Sequence, residues 1–290
     1  MASATVRLGR WEPDRLGERR ALKGSVREWA GAARTLGGAG EVTPGAPVEP
    51  ELSLVFPVFD EEANLGPLLE DALRIAPRLA GSFEIIVVDD GSRDGSAAVV
   101  ERFCREHPEV AVLRHPRNRG YGAALRTGLR RARGRLVFFT DADLQFDLGE
   151  LAHLLHHARE FDIVAGYRAP RRDPPGRRLL AAVWGALVRT LFGLEVRDID
   201  CAFKVFRRHV IESIPIASLG AFVNTEILVR ASRAGFRIHQ IPVTHQPRRF
   251  GRQSGARPRV VLRAIVELVA LYRELRPPSG SRADASEPQA

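Results

Sequence analysis

The sequence predicts an α/β domain built on a mostly parallel, Rossmann-like sheet with helices on both faces. Three observations predict it. Short apolar runs recur along the chain, segments with helical spacing separate them, and several runs are apolar throughout instead of alternating, as strands buried on both faces must be. With 290 residues, 44% of them hydrophobic, the chain can bury one large core of this kind.

The elements follow in order. Residues 52–58 form a continuous apolar run, the first strand. Residues 62–75 place Leu65, Leu68, Leu69 and Leu73 on one helical face. Residues 84–88 give a second buried strand, 95–106 a helix, 110–113 a third strand and 122–132 a helix. Residues 136–140 are the fourth strand, 148–159 a helix and 163–165 a short strand. Later helices are expected over 179–193, 227–234 and 260–272. Residues 1–50 lack a sustained period and end in the linker-like Thr43-Pro44-Gly45-Ala46-Pro47. They and residues 277–290 are expected to be disordered tails, leaving 51–276 as the folded domain.

Several classes are disfavoured. Cys104 and Cys201 form no C-x-x-C pair, so they read as thiols in or near the core, in a reducing compartment. The start has no apolar stretch suited to a secretory signal, and no run reaches the roughly 20 apolar residues that span a bilayer. The two best runs, 179–193 and 260–271, are interrupted by Arg189 and by Arg263 and Glu267, and read as amphipathic helices. The net charge of +9 is uneven: residues 168–208 hold ten Lys/Arg against four Asp/Glu, and 245–276 hold eight against two. Such segments attract nucleic acid, anionic lipid or a phosphorylated substrate, unless they are only solvated arginine. Aromatics are sparse at 7% and no nucleic-acid motif is present, so nucleic acid is not the expected partner. The stretch 179–193 beside Arg171, Arg172, Arg177 and Arg178 suits an anionic membrane surface instead. The expected location is cytoplasmic, peripheral at the cytoplasmic face of the membrane.

In open α/β sheets, ligands bind beyond the carboxyl ends of the strands. Three strand ends carry candidates: Pro57-Val58-Phe59-Asp60-Glu61-Glu62, Asp89-Asp90-Gly91-Ser92, and Asp141-Ala142-Asp143-Leu144-Gln145. Asp141 and Asp143 are one residue apart directly after a buried strand, so their carboxylates can converge. Held close they repel, and a hard divalent cation, Mg²⁺ or Mn²⁺, relieves this while clamping a diphosphate. Gln145 can add an amide oxygen or orient a ligand. On residue types alone, a turn and N-cap cluster fits the aspartates equally well. Gly91 permits a tight turn with positive φ, and its neighbouring carboxylates can accept from a base or ribose. Gly120-Tyr121-Gly122 departs from G-x-G-x-x-G because Leu125 takes the third glycine position, which disfavours a nicotinamide-binding domain.

Together these motifs resemble glycosyltransferase family 2, of the GT-A fold, and within it the dolichol-phosphate mannose and glucose synthase-like branch. The matching motifs run from Leu52 to about Leu271. The family's P-x-Y-N-E-E stands here with Phe59 for Tyr and Asp60 for Asn, and its D-A-D-L-Q matches in full. Gly166-Tyr167-Arg168, Asp198 to Lys204 on the acceptor side, Asn224-Thr225-Glu226 at a helix start that carries a glutamate, and Pro242 to Gly251 near the active-site mouth resemble later family segments. Gln240 departs from the family's frequent Glu, and Gln253 stands where Ser is frequent. The resemblance implies that Pro57, Phe59, Glu61, Asp89, Asp90 and Asp141 border a nucleotide-diphosphate sugar. It also implies a metal on Asp141 and Asp143, with Gln145 beside it.

The chemistry sets further expectations. The departing diphosphate gathers negative charge, which a metal and arginines stabilise. Asp143 is thus a catalytic candidate, and the acceptor attacks from the opposite face with inversion. A hydroxyl acceptor needs a general base, for which Glu226 is the candidate, although a carboxylate at a helix start is equally accounted for by the helix dipole. A phosphate monoester is largely dianionic at neutral pH and needs little help. The basic segments favour that case, a polyprenyl-phosphate acceptor gripped by Arg168, Arg178, Arg248 and Arg249. A soluble or lipid hydroxyl acceptor, or a basic binding module without catalysis, are the alternatives. His245 is a candidate for bonding the leaving group or a loop carbonyl, and His153, His156 and His157 read as surface residues of one helix.

Overall fold

A computed structural model of the chain describes residues 49–171, 173, 175–251 and 258–276. The tails expected at 1–50 and 277–290 lie outside these residues, apart from Glu49 and Pro50, and so do Arg172 and Gln253.

Seven strands form one sheet: β1 (Leu52–Val58), β2 (Phe83–Asp89), β3 (Val110–Arg114), β4 (Leu136–Thr140), β5 (Ile163–Arg168), β6 (Phe203–Arg207) and β7 (Ile238–Val243). Their order is β3-β2-β1-β4-β6-β5-β7. Every pairing is parallel except those of β6, which runs antiparallel to both β4 and β5. The described helices are α1 (Glu62–Leu79), α2 (Ser96–Glu106), α3 (Tyr121–Arg131), α4 (Leu151–His157, after a 3₁₀ turn at Leu148–Glu150), α5 (Pro175–Phe192), α6 (Arg208–Ser213), α7 (Val223–Arg233) and α8 (Pro258–Leu275).

The uniform apolarity of the strands has its cause in two cores. Along β1, Leu52, Leu54, Phe56 and Val58 face one core with Leu65, Leu68 and Leu69 of α1, while Val55 faces the other with Leu125 and Leu129 of α3. β2 and β4 alternate in the same way, Ile85, Val87 and Phe138 to the first side and Ile86, Val88 and Phe139 to the second. Strand side chains alternate between faces, so a sheet covered twice needs apolar residues at every position. The polar exceptions, Ser53 and Glu84, satisfy each other at 2.7 Å, and the backbone N–H groups of Gly134 and Arg133 donate to them at 2.8 and 2.7 Å.

Boundaries differ from expectation where tertiary packing outweighs local signals. α1 continues past Pro77 to Leu79, whose side chain is buried. β5 extends to Arg168 because it pairs with β7, a strand with an irregular burial pattern that sequence periodicity does not reveal. β6 and its pairing with β4 were equally hidden, since Phe-Lys-Val-Phe-Arg places a buried lysine, Lys204, inside the sheet.

On α4, His156 is exposed and His157 half-buried, its ring 4.5 Å from that of His239 on β7 and 5.2 Å from that of His156. Burial, then the neighbouring His239, push the His157 imidazole down to about 4. A histidine held neutral in the fold but free to protonate when unfolded stabilises the fold above its ordinary pKa, and that stability is lost as pH falls through the folded value. Acidification from about pH 6.5 to about pH 4 should therefore cost about 1 kcal/mol at this residue, after allowance for its partial solvation. Urea unfolding of wild type and His157→Gln across that window checks it. The variant should lose less stability on acidification, and equal losses would count against the account.

Candidate active site

Because all strands but β6 are parallel, their carboxyl ends share one rim, and β6 begins there: Phe203 pairs with Thr140. The rim thus collects residues 59–62 after β1, 89–92 after β2, 141–145 after β4, Arg168 at the end of β5, 198–204 before β6 and 244–251 after β7.

The first two loops are stitched together. Asp60 has φ 54°, a left-handed conformation that Asp and Asn tolerate best, which accounts for an Asp where the motif usually has Asn. Its Oδ1 accepts from Arg93 N at 2.7 Å, and its own N–H donates to Ser92 Oγ at 3.0 Å. Gly91 has φ 74°, and a Cβ there would lie 2.6 Å from the Arg117 carbonyl carbon, so the turn requires glycine. Beyond it is a cavity of about 460 Å³ lined by Asp89, Ser92, Arg93, Arg114, Arg117 and Asn118, among others.

Asp89 lines this cavity, whereas Asp90 does not. Asp90 is buried, and its oxygens accept from Arg119 N at 2.9 Å and Gly120 N at 2.8 Å and meet His115 Nδ1 at 2.6 Å. The Asp90 carboxylate, expected to border the nucleotide, thus also shapes the 115–120 loop. Pro57 is likewise buried within β1, its place set by pairing with Val88, whereas Phe59 is exposed at the rim.

The carboxylates expected to hold a metal are brought together with a third. Asp143 is 8% exposed, and its Oδ2 lies 3.5 Å from an Arg248 nitrogen. The same guanidinium donates to Glu61 Oε1 and, at 2.6 Å, to the Phe250 carbonyl. Burial, then the charge of Asp141, raises Asp143 to about 6 against the pull of Arg248. Burial also raises Asp141, with the Tyr121 hydroxyl and then Lys204 opposing. Glu61 is raised mainly by burial, offset by Asn64 and Arg248. Leu144, between Asp143 and Gln145, has φ 58°, a strained conformation for leucine that costs on the order of 1–3 kcal/mol. Strain and carboxylate crowding at one turn oppose stability and mark a site kept for chemistry.

Among the described residues no three His, Cys, Asp or Glu side chains converge as a complete metal cage. What the site offers is two hard carboxylates, with Asp141 Oδ1 buried and without a hydrogen-bond partner. That fits a cation such as Mg²⁺ or Mn²⁺, which binds through one or two carboxylates and takes its other ligands from phosphates and water. Gln145 is placed differently from a simple ligand. Its side-chain N–H donates to Gln246 O at 3.0 Å and its backbone carbonyl accepts from Gln246 N at 2.8 Å, so it ties the β4 loop to the segment after β7 that carries Arg248.

Two of the acceptor-side candidates are engaged within the fold. Arg168 is not free to grip a phosphate: its Nε and one terminal nitrogen donate to Asp198 at 2.6 and 2.7 Å, and the other reaches Asp173 at 3.2 Å. Glu226, the candidate base, is engaged as well. It is 2% exposed, accepts from Ala217 N at 3.1 Å and Ser218 N at 2.8 Å, and pairs with Arg230 at 3.0 Å. Arg248 stands among the donor-side carboxylates, while Arg178 and Arg249 are exposed. His245 is buried with Nδ1 unpartnered, and burial, then the charge of Arg168, lowers its pKa. Gln240 donates to Glu195 O at 3.0 Å and accepts from Arg197 N at 2.7 Å, a pair of bonds glutamate cannot make, which explains that departure.

Tyr121 and Lys204 were not singled out for the site. The Tyr121 hydroxyl is buried beside Asp141, and the Lys204 ammonium is buried against the carbonyls of Ile199 (3.0 Å) and Cys201. A lysine inside a strand was the available signal.

The cavity at Asp89 and the paired carboxylates Asp141 and Asp143 thus lie on one rim of a mostly parallel sheet. The model for glycosyl transferase family 2 matches residues 53–214, and the chain belongs to that family. It is 36% identical over 166 residues to an undecaprenyl-phosphate 4-deoxy-4-formamido-L-arabinose transferase of Shewanella sediminis, covering 56% of this chain and 50% of that protein. With a dodecaprenyl-phosphate galacturonate synthase of Rhizobium johnstonii it shares 32% over 209 residues, 69% of this chain and 60% of the other. The chain thus spans about half to three-fifths of these relatives' length. Among solved structures, mannosyl-3-phosphoglycerate synthase from Rubrobacter xylanophilus aligns with TM-score 0.65 at 23% identity, covering 87% of this chain and 82% of that one. Glucosyl-3-phosphoglycerate synthase from Mycobacterium tuberculosis with Mn²⁺ and UDP-glucose aligns with TM-score 0.62 at 20% identity, over 88% and 85%. At such identities the structures establish the fold.

Proposed function

We propose that this glycosyltransferase moves a sugar, with inversion, from a nucleotide-diphosphate sugar to a polyprenyl phosphate at a membrane surface, on its cytoplasmic face. The observation that carries the reading is the crowded pair Asp141 and Asp143 at the end of β4, raised in pKa and with one oxygen unsatisfied. The polyprenyl-phosphate relatives support the acceptor class, and the cavity beside Asp89 supports the nucleotide.

Asp141 and Asp143 would hold the Mg²⁺ or Mn²⁺, which when bound neutralises charge on the leaving diphosphate. Asp89 and the cavity walls hold the base and ribose. Asp90 fixes the 115–120 loop, and Gln145 keeps the Arg248 segment against the carboxylates. Arg248, held between Glu61 and Asp143, would stand beside the bound diphosphate as a further positive charge. With Glu226 occupied, the nucleophile supplies its own charge, as a phosphate monoester does. Arg178 and Arg249 remain the exposed cations available to it.

The test compares a polyprenyl phosphate with the matching polyprenol across nucleotide sugars, with Mn²⁺ and with chelator. Turnover of the phosphate alone, abolished by chelator, is expected. Equal turnover of the free alcohol, or metal-independent transfer, would overturn the acceptor or the metal reading respectively.

A further inference from the structure

Ten large hydrophobic side chains are exposed among the described residues, and eight of them lie on two helices. On α5 they are Leu179, Leu180, Val183 and Leu187, and on α8 Leu262, Ile265, Val266 and Val269. Each set follows helical spacing, so each helix is apolar on two sides. The inner side of α5 buries Val188 and Phe192, and that of α8 buries Leu268 and Leu271. Phe192 and Tyr272 meet edge to face at 6.0 Å and both helices pack on the second core, so they lie on the same side of the sheet.

The charges select what covers it. α5 carries no acidic residue, and α8 carries two, both engaged with the protein. Glu274 forms two 2.8 Å bonds with Arg230, and Glu267 accepts from Leu219 N at 3.3 Å and Arg263 at 3.1 Å. Arg178, Arg189, Arg259, Arg273 and Arg276 are exposed. An apolar stripe flanked by uncompensated arginine complements a surface with an apolar interior and anionic headgroups. No described helix is long and apolar enough to cross a membrane, so the fit is to lying in the interface.

We infer that α5 and α8 together form a face that docks on an anionic bilayer surface. This deepens the lipid-phosphate reading and rests on it for its purpose, since docking brings the rim to a membrane-held acceptor. The face is joined to the site: Glu267 holds the 217–220 loop, and a Cβ on Gly120 would lie only 2.4 Å from the Leu219 carbonyl oxygen of that loop.

The experiment is co-sedimentation of the full chain with vesicles of phosphatidylcholine alone or mixed equally with phosphatidylglycerol, with no sugar donor or acceptor present. Binding to the anionic vesicles is expected, weakened by high salt. The pairs Leu262→Glu with Val266→Glu, and Val183→Glu with Leu187→Glu, should each weaken it about tenfold or more at unchanged melting temperature. Turnover of a short, water-soluble polyprenyl phosphate by these variants should match wild type. Failure of wild type to bind the anionic vesicles, or undiminished binding by both variant pairs, overturns the face. A solution dimer that the α8 pair dissociates overturns it in favour of a second copy. Face-dependent vesicle binding by an enzyme inactive on every polyprenyl phosphate would uphold the face and overturn the acceptor reading alone.

Discussion

Asp143→Asn, and separately Asp141→Asn, should lower transfer by about a thousandfold or more, roughly 4 kcal/mol of transition-state stabilisation. The amide keeps the shape of the carboxylate but removes the charge that attracts a divalent cation. The fold should survive and even gain. Asp143 is raised to about 6 by burial and by Asp141, so each carboxylate burdens the other in the absence of metal. Melting curves without added metal should place either variant at or above wild type, and titration with Mn²⁺ should raise the wild-type midpoint more than theirs. Activity that resists chelation, or full activity in the double variant, would sink the assignment.

Asp198→Ala should be the most destabilising single change at the rim, by about 3–5 kcal/mol. Asp198 is 7% exposed, and Arg168 donates to it from Nε, a terminal nitrogen and the backbone, with Arg171 3.6 Å away. Removing it leaves a buried guanidinium short of its main partner, which costs far more than an exposed pair is worth. Urea denaturation provides the measurement, and a loss within about 0.5 kcal/mol would show the pair to behave as a solvated one. Arg168 is therefore a poor probe of acceptor binding, because its substitution acts first on the architecture of the β5 end.

The positions proposed here for the donor are legible in the sequence because they are local. β1, β2 and β4 are each followed directly by their loop, the apolar runs are unbroken, and Asp141 and Asp143 need only the alternation of a strand to converge. The acceptor half was not, and the reasons are physical. β6 lies between β4 and β5, which follow it in neither order nor direction, and no short-range pattern encodes that insertion. The sequence names an arginine but not its partner, so Arg168 and Glu226 were read as free groups when Asp198 and Arg230 occupy them. Arg248 is assigned to the acceptor by the basic segment it belongs to, while in the fold the segment after β7 brings it to Glu61 and Asp143.

The reversed direction of β6 has a consequence for how such an enzyme can diversify. Everything from β1 to the β4 loop is closed in short strand–helix units, whereas the residues before β6 are held at the rim by the Thr140–Phe203 seam and the Arg168–Asp198 pair. On the proposed function, changes in the segments between β5 and β6, or beyond β7, would remodel the surface that meets the acceptor while the nucleotide-facing units stay intact. A chain divided along this seam can keep one donor chemistry and exchange the molecule that receives the sugar.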